Sequence, residues 1–91
     1  MRDFHIIQLH ITDEAIAKFA KHDLSVEEVE EAVLWDPERK ATWKSDAKHG
    51  CRLKVMGRCE SSNKVIVAFL DPWDINNGVW KPRTAYRVSQ L

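Results

Sequence analysis

The spacing of apolar residues changes twice along this chain. Residues 4–11 (FHIIQLHI) are dense in β-branched and apolar side chains and predict a strand. From Thr12 the spacing opens to three and four. Ile16, Phe19 and Ala20 share a stripe, and Thr12-Asp13-Glu14 supplies helix-start chemistry, so a helix is expected over about 13–22. Asp23-Leu24 breaks it. Ser25-Val26-Glu27-Glu28 then reads as a capping box: the Ser25 oxygen accepts from the third helical amide, and the Glu28 carboxylate reaches back to the Ser25 amide. The second helix is expected to run to about Trp35, with Val26, Val29, Ala32 and Val33 inward and Glu27, Glu28, Glu30 and Glu31 outward. Pro37 closes it. So short a break implies a helix hairpin.

Beyond Pro37 the spacing falls to two. Residues 40–44 (KATWK) predict a short strand, and Ser45–Gly50 a loop. In residues 51–58 (CRLKVMGR), Cys51, Leu53 and Val55 alternate with Arg52, Lys54 and Met56, as in a strand buried on one face with a basic outer face. Glu60-Ser61-Ser62-Asn63 is a turn, and 64–70 (KVIVAFL) has the continuous apolar character of a central strand. Asp71–Gly78 is expected to be a polar loop closing on the Asn77-Gly78 turn signal. Residues 79–88 form the last strand, with Pro82 marking an edge or bulge. Neither layer can bury its apolar side alone. The expectation is one α+β domain over residues 1–91: a two-helix hairpin on one face of a four- to five-stranded, mostly antiparallel sheet. The other face is left to Arg52, Lys54 and the basic residues of the last strand.

Charge sharpens that division. The chain carries 14 basic and 14 acidic residues, but they are segregated. Residues 1–38 hold 10 acids and 3 bases, a balance of −7, while residues 39–91 hold 4 acids and 11 bases, a balance of +7. A basic strand half beside an acidic helical half points to a polyanion-facing sheet, and the plainer reading, that the charges solvate a small domain, stands equally beside it. The chain has no apolar run long enough to span a membrane and no signal-like start, so a cytoplasmic protein is expected. Cys51 and Cys59 are then reduced thiols. Their spacing fits no zinc pattern, the four histidines form no ligand cluster, and neither metal nor cofactor is expected.

An ordered set of motifs is similar to a known group. Residues 21–31 (KHDLSVEEVEE) resemble the helix hairpin of BrnT-type toxins, within the RelE/ParE toxin superfamily. Trp35-Asp36-Pro37 resembles the aromatic-x-Asp-Pro that follows it. Asp46, His49 and Arg52 resemble the spaced Asp, His and Arg leading into the next strand, Gly57 its closing glycine, and residues 83–87 (RTAYR) the last strand. The resemblance spans most of residues 20–88. Cys51 stands where relatives carry an acid, and the relatives' last strand leads into a helix with a Glu-Arg pair and a tyrosine.

The resemblance implies a RelE-like fold and the toxin of a bacterial type II toxin–antitoxin pair, either a metal-free endoribonuclease or a translation inhibitor acting on mRNA. The implied partners are a cognate antitoxin, RNA and the ribosome, with no membrane, in a homodimer or an antitoxin complex. Metal-free RNA cleavage needs an activated 2′-hydroxyl, stabilisation of charge on the phosphorane, and a protonated leaving oxygen. Arg52 and Lys54 lie two apart on a strand and point the same way. Arg83 and Arg87, four apart, share a face in a regular strand, and the four together are the expected clamp for one phosphate. His49 is the candidate acid or base. Lys64, Arg58 and Lys81 are candidate RNA contacts. Each has a plainer reading: a solvated face for Arg52 and Lys54, a turn charge for Lys64, edge-guarding charges for Arg83 and Arg87, an exposed loop residue for His49. His22 is expected to cap the first helix's C-terminus, Tyr86 to face the helices, and Trp73 and Trp80 to pack the hairpin or stack on bases. Two other functions stay open. One is a non-catalytic nucleic-acid- or protein-binding module derived from this fold. The other is an adaptor whose Glu27, Glu28 and Glu31 dock a basic partner.

Overall fold

In the computed structural model, which describes residues 5–46 and 50–88, a five-stranded sheet runs in the order β1-β5-β4-β3-β2. The strands are Gln8–Leu9 (β1), Lys40–Asp46 (β2), Gly50–Cys59 (β3), Lys64–Asp74 (β4) and Val79–Val88 (β5); the helices are Asp13–Lys21 (α1) and Val26–Glu30 (α2). Strands β2 to β5 pair as antiparallel neighbours, and β1 lies parallel to β5. The α+β class and the mostly antiparallel sheet are as expected. No described helix is long and apolar enough to cross a membrane.

Local chemistry explains the helix starts. Thr12 Oγ1 accepts from the Ala15 amide at 3.2 Å. At Ser25 the capping box is complete: Glu28 N–H donates to Ser25 Oγ at 3.1 Å, and Ser25 N–H donates to Glu28 Oε1 at 2.9 Å. Helix α2 runs into a wider π-type turn, Glu31–Trp35. It ends at Asp36, whose extended backbone (ψ 114°) is what the following Pro37 demands. Asp36 then ties this end down, accepting from Glu38 N–H at 2.9 Å and from Arg58 N–H on β3 at 2.8 Å.

The core forms where the helical segments meet one face of the sheet. Phe19, Val29, Ala32 and Val33 bury against Leu53, Val55, Ile66, Ala68, Leu70 and Ala85. Gly57 makes the closest approach possible: a Cβ there would lie 2.0 Å from the Ala32 carbonyl oxygen. Helix α1 sits over β5. Its buried positions are Ala15 and Phe19, while Ile16 and Ala20 are exposed, so the expected stripe is turned by one residue. The buried Ala15 lines the seam between α1 and β5 with Pro82.

Three expected elements differ. The first strand was expected over 4–11 but pairs only at Gln8–Leu9. His10 N–H donates to the Trp80 carbonyl at 2.8 Å, and the next bond of a parallel ladder would need an N–H from Pro82, which has none. The expected loop over 71–78 is mostly strand. β4 continues to Asp74 through an irregularity at Trp73, a short turn follows at Ile75–Asn77, and Gly78 closes it at φ 73°. Cys51 is exposed rather than buried. The inward alternation begins at Leu53.

Candidate nucleic-acid interface

Pairing across the strands decides which side chains share a face. Gly57 faces the helical layer and stands opposite Ile66, which stands opposite Arg87. The alternate residues therefore form the other face, and among the described residues no helix covers it. Arg52 and Lys54 lie there, as expected. Thr42, Lys54, Phe69 and Thr84 form one row across four strands, and Lys40, Met56, Val67 and Tyr86 form the next. Arg58 stands opposite Val65, Lys44 opposite Arg52, and Lys81 opposite Asp71. The centre is apolar and aromatic, with Phe69 and Tyr86 at 6.3 Å between ring centroids. Their neighbours leave Val67 only 1% exposed. The surround is basic: Lys40, Lys44, Lys54 and Arg58 have no ion-pair partner among the described residues. A groove of about 150 Å³ runs between Lys40, Thr42, Lys44, Lys54 and Met56.

One carboxylate is embedded in this surface. Asp71 lies between two guanidinium groups, with Arg52 Nε at 3.2 Å and Arg83 Nε at 3.3 Å. Arg83 reaches it because β5 is bulged: Phe69 pairs with Thr84 and Leu70 with Pro82, leaving Arg83 as the extra residue. Neither approach lies along the N–H direction, so both Nε–H groups are shielded from solvent without an acceptor. Beside this cluster Trp73, 57% exposed, stacks on His10 at 4.6 Å and 3° between planes. Lys81 Nζ stands 5.2 Å from its ring centre. Trp80 instead belongs to the core and donates from Nε1 to the His5 carbonyl at 2.9 Å.

The nominated residues thus divide. Arg52 and Arg83 come together at Asp71, and Lys54, Arg58 and Lys81 share their face. Arg87 does not. It projects on the helix side, where its pairing with Ile66 opposite Gly57 places it, and the bulge brings only Arg83 round to the open face. Tyr86, expected in the core, pairs with Val67 and so lies on the open face, half-buried beside Phe69 with its ring centroid 6.2 Å from that of His22, the C-cap of α1. Lys64 is also on the helix side. Its Nζ donates to Glu28 Oε2 at 2.9 Å and to the Asp23 carbonyl at 2.8 Å, fastening the helical layer to the start of β4. His49 lies outside the described residues.

The acidic helical face is likewise partly spent on structure. The Lys64 ammonium, with the Ser25 amide, holds the Glu28 carboxyl down at about 2. Glu31 accepts from Ser61 Oγ at 2.8 Å and Ser61 N–H at 3.0 Å, which also lowers its pKa. Two of the glutamates expected to face solvent therefore bind the β3–β4 turn. Among the described residues, no three His, Cys, Asp or Glu side chains gather to hold a metal. Phe69 and Tyr86 are the functional candidates that sequence reasoning missed; strand pairing puts them beside the basic groups. No protein-family model, curated protein or solved structure matches this chain.

Proposed function

We propose that the chain binds single-stranded RNA across its open sheet face, as the toxin component of a RelE-like, BrnT-type toxin–antitoxin pair acting on mRNA. The observation that carries this reading is the composition of that face: Lys40, Lys44, Arg52, Lys54, Arg58 and Lys81 surround the Phe69–Tyr86 pair. Ammonium and guanidinium groups attract the phosphodiester backbone, and aromatic faces accept unstacked bases whatever their identity. The cellular role rests on the resemblance of residues 20–88 and implies an antitoxin that masks the face.

Binding is supported better than cleavage. Arg52 and Arg83 are already shared with Asp71, and Arg87 points away, so the four-residue clamp is not assembled. Cleavage remains the second reading because Arg52 and Lys54 stand side by side, where they stabilise charge building on a phosphorane. The adaptor reading is weakened by the internal engagement of Glu28 and Glu31.

The test is anisotropy with a short single-stranded RNA over a salt series, together with expression in a bacterial host. Replacing Lys40, Lys44 and Lys54 together by alanine is expected to reduce the salt slope by about 2, at about 0.7 for each phosphate no longer neutralised, and to relieve growth arrest. Equal affinity and slope in both proteins would sink the RNA reading. Incubation with ribosomes and mRNA separates the modes, since a specific cut makes the protein a nuclease.

A further inference from the structure

We infer that Asp71 occupies the place a phosphate takes on this face, and that an incoming phosphodiester displaces it from Arg52 and Arg83. The inference rests on reading the open face as an RNA surface and names the anion subsite within it. The pairing is out of line: the two Nε atoms approach Asp71 at 3.2 and 3.3 Å, yet both Nε–H groups lack an acceptor. A guanidinium meets its best anion through a two-bond fork, and a planar carboxylate shared by two guanidiniums offers neither a full fork. A phosphodiester also has two free oxygens, but they stand farther apart on a larger tetrahedral centre, so each can take one of the donors that Asp71 leaves unmet.

The surroundings also stay positive with Asp71 in place. Lys81 stands opposite Asp71, so three cations adjoin one carboxylate, and Lys44 stands opposite Arg52. The cluster is open to solvent, with the Asp71 side chain 26% exposed and that of Arg83 42%, so the carboxylate can leave without unpacking the core. Asp71 is then an internal competitor. It keeps the two arginines ordered and raises the threshold for weak anions, favouring a ligand that meets both guanidiniums at once.

The experiment uses the full ¹⁵N-labelled chain, following the arginine Nε–H signals while sodium pyrophosphate and, separately, a short oligouridylate are added. The expected result is movement of the Arg52 and Arg83 signals with both. Asp71→Asn is expected to bind the oligouridylate about tenfold tighter at fixed salt, with a salt slope steeper by about 0.7. Adding Arg83→Gln to Asp71→Asn should cancel the gain. Weaker or unchanged binding by a folded Asp71→Asn protein overturns the inference, because it makes Asp71 a positioning residue. Signals that stay still in the wild-type pyrophosphate titration overturn it too, and that arm decides alone if Asp71→Asn does not fold. Movement with pyrophosphate but no RNA binding refutes the RNA reading and keeps the anion site. RNA binding with both signals still does the reverse.

Discussion

Gly57→Ala tests the architecture on which the open face depends. Gly57 lies on β3 with its Cα hydrogen aimed at the helical layer, and an added Cβ would sit 2.0 Å from the Ala32 carbonyl oxygen and 2.8 Å from its carbon. Real Cβ atoms essentially never come within 3.0 Å, so the Ala32 turn must retreat by at least 1.0 Å (3.0 − 2.0). The clashing atom is backbone and cannot rotate aside. Ala32 and Val33 are fully buried, so the retreat loosens their packing on the sheet. Overpacking of this kind costs about 1–3 kcal/mol, occasionally more, and a backbone clash belongs at the upper end. Restricting the unfolded chain returns about 0.4–1 kcal/mol. The net loss is about 2 kcal/mol, against roughly 5–13 kcal/mol for a chain of this length, or about 8–16 °C in Tm. Urea unfolding followed by circular dichroism and tryptophan fluorescence measures it. Gly50→Ala gives the contrasting case of backbone strain without a clash: no atom lies within 4 Å of its Cβ, and its φ of 79° alone costs about 1–2 kcal/mol. A Gly57→Ala protein as stable as wild type, or more stable, would refute the close helix-to-strand approach and with it the assignment of faces.

Four further outcomes are expected. The Glu28 carboxyl is lowered from 4.5 to about 2, so its contribution is fully present above pH 4.5 and is lost as pH falls through 2; solvent screening at this near-surface pair holds it to about 1 kcal/mol, and Glu28→Gln should flatten stability over that window in acid titrations followed by circular dichroism. Lys64→Ala should cost about 1–3 kcal/mol in urea unfolding, because it strands Glu28, while leaving RNA affinity nearly unchanged at permissive temperature. Arg87→Ala should bind RNA within twofold of wild type and Arg58→Ala more weakly, as anisotropy at low salt would show; the opposite order would reverse the faces. Tyr86→Ser should weaken RNA binding by about 1–3 kcal/mol through loss of stacking without the unfolding expected of a core tyrosine, and an unfolded protein would return Tyr86 to the core.

Much of the fold was legible because its signals are local. The Ser25–Glu28 box, the Pro37 stop, the alternation of residues 53–57 and the apolar run 65–70 each follow from a few neighbouring residues and the period of one element. The acidic helical half and the basic strand half separate in the same way, since charge segregation along a chain is visible before any folding.

What the spacing could not carry was anything that depends on an interruption. The bulge at Arg83 and the irregularity at Trp73 are settled by how β5 and β4 register over many residues. One extra residue exchanges the faces of everything beyond it. That exchange brought Arg83 to Asp71 on the open face, while Tyr86 and Arg87 keep the faces set by their pairing with Val67 and Ile66. Lys64 and Glu28 are 36 positions apart in the chain and meet only once the helical layer has closed on the sheet. Residue order settles which positions are apolar, where elements begin and that one half is basic. Only the folded sheet settles which cations share a surface and which are spent holding the molecule together, because side-chain direction in a strand depends on register, and register is a property of the assembled sheet.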